Sequence, residues 1–112
     1  MIKIGHELKH DTPEGFVRIY CGRVKDKNGI PSKYGNPFST KNYKTPFRVP
    51  NKGMAIKKFK SYIQTDLNPN YRKLKEFYKQ GNVDLFLTCF CKKVIDNGVS
   101  CHCDVIKEYL EG

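Results

Sequence analysis

The sequence predicts a small single-domain α/β protein spanning 1–112, with helices packed on a partly parallel sheet and a long basic loop after the first strands. Three observations lead there. Val83 to Phe90, VDLFLTCF, is an almost unbroken apolar run of strand length, the pattern of a central strand buried on both faces. Two segments with apolar residues at helical spacing precede it and a third follows, so strands and helices alternate along the chain. A length of 112 residues suits one core and excludes a multi-domain enzyme with a separate cofactor domain.

The elements follow in order. Phe16 to Cys21, FVRIYC, sets Val17, Ile19 and Cys21 against Phe16, Arg18 and Tyr20 and reads as a strand, with Met1 to Leu8 as its expected pairing partner. Gly22, Gly29, Pro31, Gly35, Pro37, Pro46, Pro50 and Gly53 then forbid a long helix or a central strand, which leaves a loop from 22 to 53. Loops of that length in small domains are usually functional. Ile56, Phe59, Ile63 and Leu67 predict a helix from about Met54 to Asp66. Asn68-Pro69 reads as N-cap and first position of a second helix that turns Tyr71, Leu74, Phe77 and Tyr78 inward and stops at Gly81. After the apolar strand and a polar turn over Lys92 to Ser100, a last helix starts near Ser100 to Cys103 and buries Val105, Ile106, Tyr109 and Leu110.

Composition narrows the function classes. With 38% hydrophobic and 12% aromatic residues the chain has enough apolar material to fold. No apolar stretch is long enough for a signal peptide or a membrane helix, so a soluble, intracellular protein with no membrane partner is expected. Five cysteines in a reducing compartment then point to buried thiols, metal or chemistry before a disulfide frame. The net charge of +10 is local. Eleven of the 21 bases and one of the 11 acids lie between Arg23 and Lys60, so this stretch carries the entire excess. Such a segment attracts phosphates, although 17 of the 21 bases are Lys and a lysine-biased composition also yields a merely solvated basic face.

Two constellations carry candidate chemistry. Cys89-Phe90-Cys91 ends the apolar strand and Cys101-His102-Cys103-Asp104 opens the last helix, so thiols and an imidazole gather where a strand ends and a helix starts. In open α/β sheets ligands bind at that edge, and a helix N-terminus favours anions and lowers a thiol's pKa. Three readings stay open. Cys89, Cys91 and Cys101 with His102 or Cys103 supply soft ligands for zinc, at a spacing tighter than the usual knuckle. His102, Asp104 or a low-pKa cysteine can act on a ligand. Or the cysteines are ordinary core and turn residues and Asp104 complements the helix dipole.

The second constellation is Tyr20-Cys21-Gly22-Arg23 followed by Lys33-Tyr34-Gly35-Asn36-Pro37-Phe38. A guanidinium at a strand end can fork onto phosphate, and Gly35-Asn36 before Pro37 is a turn whose N–H groups can line an anion or base pocket. The alternative is that Gly35 and Asn36 shape the turn and Phe38 plugs the core. His6 and His10 have no partner at informative spacing and read as surface residues.

Gly22-Arg23, the Tyr34 to Phe38 run, Arg48 before a helix with Tyr62, the Leu87-x-Cys89-x-Cys91 strand and Cys101-His102-x-Asp104-Val105 occur in this order. Together they resemble the family known as domain of unknown function 4326, small proteins common in bacteriophages and bacteria. The resemblance covers about residues 16–110. It departs from the family pattern at Phe90, where Trp is usual, and at Cys103, where Gly is usual, which leaves Cys89, Cys91, Cys101 and His102 as the zinc set. The resemblance implies a phage-type origin and a site, and no reaction.

The leading expectation is therefore a phage-type protein in the cytoplasm of a host bacterium that binds a phosphate-bearing nucleotide or nucleic acid. Arg23, Lys33, Tyr34, Gly35, Asn36 and Arg48 would contact the ligand beside the helix start at His102 to Asp104. If it is an enzyme, His102 and Asp104 are the acid/base candidates at a glycosidic or phosphate bond. Alternatives from other classes are a host-takeover or anti-defence protein that binds a host macromolecule through its basic face, and a zinc-stapled structural module.

Overall fold

A strand apolar on both faces must be flanked on both sides, and the apolar run takes that central place. In a computed structural model describing residues 1–22, 25–39, 47–65, 67–90 and 102–112, the elements are β1 (Ile2–His6), β2 (Phe16–Tyr20), the two-residue strands β3 (Phe38–Ser39) and β4 (Phe47–Arg48), α1 (Lys52–Ile63), α2 (Asn70–Gly81), β5 (Asp84–Cys89) and α3 (His102–Glu111). The main sheet has the order β1-β5-β2, and both neighbours run parallel to β5. Ile2 pairs with Leu85 and His6 with Cys89 on one side; Phe16 pairs with Asp84 and Tyr20 with Thr88 on the other. The expected pairing of the first strand with Met1 to Leu8 is thus corrected: the two are outer strands separated by β5. The buried strand claims both as neighbours because it alone needs cover on each side.

Alternation along the strands separates two faces. Ile2, Ile4, Ile19, Cys21, Leu85, Leu87 and Cys89 belong to the core, where Phe59 and Ile63 of α1, Tyr71 and Leu74 of α2, and Val105, Ile106 and Leu110 of α3 cover them. The opposite face carries Lys3, Phe16, Arg18, Phe86 and Thr88. Because β1 and β2 are parallel, the chain must return from the end of one to the start of the other, and residues 7–15 make that return without a helix. Arg18 holds this segment on the sheet: its guanidinium lies 5.5 Å from the Phe86 ring centroid, and it donates to the backbone oxygens of Glu7 at 2.6 Å and His10 at 2.9 Å. Gly5 has to lack a side chain here, since a Cβ would run into the Phe86 ring.

The 22–53 stretch contains more structure than a loop. Lys25 and Pro31 form an antiparallel bridge around a turn in which Asp26 Oδ1 accepts N–H groups of Asn28 (2.8 Å) and Ile30 (2.9 Å), with Gly29 at φ 80°. Further along, β3 and β4 pair in parallel. Asn51 caps α1, its Oδ1 accepting the Met54 N–H at 2.8 Å, so the helix begins at Lys52 and ends at Ile63, short of Asp66. Leu67, expected to extend the apolar stripe, lies past the helix end and is 77% exposed. In α2 the N-cap is Pro69, and Asn68 supports the start by accepting the Asn70 N–H at 3.1 Å. Tyr71 and Leu74 turn inward as expected, whereas Phe77 is 45% exposed. Asn82 ends the helix in the left-handed region, one residue beyond Gly81. The turn expected over 92–100 lies outside the described residues.

Candidate functional site at the carboxyl edge of the sheet

Since all three strands are parallel, their carboxyl ends share one edge. His6 and Glu7 end β1, Cys89 and Phe90 end β5, and Tyr20, Cys21 and Gly22 end β2. The ladder runs one residue further on each side: Glu7 N–H donates to Cys89 O at 2.9 Å and Cys21 N–H to Thr88 O at 2.7 Å. At the start of α3, Cys103 is buried and Asp104 is exposed in the first turn.

A buried carboxylate sits at the centre of this edge. Glu7 is 3% exposed. Its Oε1 accepts from Thr88 Oγ1 at 2.7 Å and from Arg18 Nη2 at 3.0 Å and Nε at 3.2 Å; its Oε2 accepts the Lys27 backbone N–H at 3.2 Å. Burial alone pushes this carboxyl up, but the donors from Thr88, Lys27 and Arg18 outweigh it and hold Glu7 below the usual carboxylate range. Beside it, burial and then the Glu7 charge and the Cys89 thiol raise the Tyr20 phenol above its ordinary value, so its hydroxyl stays protonated and can donate. Gly22 makes room for that ring, because a Cβ there would collide with the Tyr20 hydroxyl.

The histidines read as surface residues are part of this edge. His6 is buried. Its N–H donates to His10 Nδ1 at 2.9 Å, and its own Nδ1 accepts the Leu8 N–H at 3.1 Å. In the neutral form both rings therefore carry their proton on Nε2. Glu7, Arg18, Thr88 and His6 escaped the sequence reading, and Tyr20 entered it only as part of the Tyr20 to Arg23 run. Arg18 left one signal, a lone charge inside FVRIY, which needs a partner if its face is covered.

The Lys33 to Asn36 run is strapped to the helices. Lys33 O accepts from Asn68 Nδ2 at 3.1 Å, and Gly35 O from the Tyr71 hydroxyl at 3.2 Å. Asn36 is buried and donates Nδ2 to Ala55 O at 3.4 Å. These bonds tie the run to α1 and α2. Tyr34 packs against the core beside the Tyr71 ring, centroids 5.9 Å apart, and burial followed by the Cys21 thiol raises its phenol.

The remaining candidates divide as follows. Arg23, Cys91 and Cys101 lie outside the described residues, and of Arg48 and His102 only the backbone is described, in β4 and at the first position of α3. Of the expected zinc set, only Cys89 has a described side chain, and it is buried in the core on the helix-covered face. Cys103, the alternative ligand, is also a core residue. Among the described residues no group of three or more histidines, cysteines and acids is placed to hold a metal ion.

Parallel strands with helices on one face define a small α/β protein, and its polar groups gather at the carboxyl edge, where open α/β sheets take ligands. The family follows from the sequence match. A family model described as Domain of unknown function (DUF4326) matches residues 6–112, and the chain belongs to that family. No curated protein and no solved structure matches it.

Proposed function

We propose that the protein binds a phosphate-bearing nucleotide or nucleic-acid ligand at the carboxyl edge of its sheet, in the cytoplasm of a bacterium, as a phage-type protein. The Lys27 N–H to Glu7 bond carries this reading. It ties the basic segment that carries the net excess of charge to the strand ends at Lys27, beside the edge where open α/β sheets take ligands. The α3 start adds partial positive charge for an anion. Tyr20, kept protonated, offers a hydroxyl donor without adding negative charge.

Thermal unfolding with AMP, ADP, inorganic phosphate and a single-stranded oligonucleotide tests it, on the natural chain and on Arg23→Ala and His102→Ala. Stabilisation by a nucleotide that shrinks in both variants is expected. Equal response of all three proteins, or no response to any probe, overturns the proposal. Salt distinguishes the ligands: a backbone spanning several phosphates loses affinity steeply with log[salt], a mononucleotide far less.

A further inference from the structure

Resting on the nucleotide reading above, we propose that Phe90, framed by His6 and Tyr20, is the platform on which the base of the ligand stacks. Each of the three rings comes from the end of a different strand: His6 from β1, Phe90 from β5 and Tyr20 from β2. Phe90 stands nearly perpendicular to both neighbours, with centroids 6.0 Å from His6 at 86° and 5.6 Å from Tyr20 at 69°. Two such neighbours fix its plane, so little ordering remains to be done on binding. After five consecutive buried residues, Leu85 to Cys89, this ring is 40% exposed. An aliphatic core residue would satisfy the end of a buried strand; a ring fixed and left open suits a flat π-system. The occupant is a nucleobase and not a bare sugar phosphate, because the aromatic platform and the donor groups of the same edge answer the two ends of one nucleotide. Neutral Tyr20 and the Nε2–H tautomer of His6 add hydrogen-bond donors next to the ring for the polar edge of a base.

The chain contains no Trp, so Phe90→Trp installs a single indole reporter. We expect AMP, GMP, CMP or UMP to quench it and ribose 5-phosphate to leave it unchanged. By calorimetry, Phe90→Leu should weaken binding of that nucleotide about tenfold, Phe90→Tyr should retain it, and ribose 5-phosphate should bind the natural chain and Phe90→Leu alike. If the nucleotide and ribose 5-phosphate bind the natural chain equally and Phe90→Leu alters neither, base stacking is overturned while the phosphate site stands. If none of these probes binds the natural chain, the nucleotide reading falls with it.

Discussion

Arg18 is the residue whose removal should be felt most. It pairs with Glu7, clamps residues 7–15 and covers Phe86. Arg18→Ala strands a buried carboxylate and should cost about 3–5 kcal/mol in urea unfolding, since breaking a buried pair from one side leaves an uncompensated charge. Arg18→Ala combined with Glu7→Gln should recover part of that loss. The same carboxylate sets an acid limb. Its folded pKa lies below the reference 4.5, so its stabilising contribution is complete above that value and is lost as pH falls through the lower folded value. Glu7→Gln should therefore flatten the fall in stability below pH 4.5 when melting is followed against pH.

Among the elements, the α2 terminus offers a gain. Asn82 sits at φ 50°, and Asn82→Gly should stabilise by about 0.5–1 kcal/mol, read from the denaturation midpoint. Tyr71→Phe should cost about 1 kcal/mol by losing the bond to Gly35 O, and should speed proteolysis in the Lys33 to Asn36 run. The central strand was legible because VDLFLTCF has no polar face, and the helices because Phe59, Ile63, Tyr71, Leu74, Val105, Ile106 and Leu110 recur at helical spacing. The pairing of β1 was not legible: IKIGH carries no mark of which strand lies beside it, and the choice is made by the needs of β5, 83 residues away from Met1. Phe77 and Leu67 continue the apolar spacing but stand exposed, so the spacing alone overstates the buried stripe. The Glu7, Arg18 and Thr88 constellation stayed hidden because its members meet only through that non-local pairing.

At the scale of the whole molecule, helices lie on one face of the sheet and one irregular segment lies across the other. The second face should open first. Amide exchange ought to report residues 7–15 and the β2 strand as less protected than β5, and Arg18→Ala should widen the gap; uniform protection would contradict the one-sided packing. The strand order also sets a schedule for the nascent chain. β1 and β2 are made early, yet neither has a neighbour until 84–89 exists. A chain interrupted before Asp84 has no main sheet at all, so folding has to wait for the centre to be delivered last, with its first strands unpaired meanwhile.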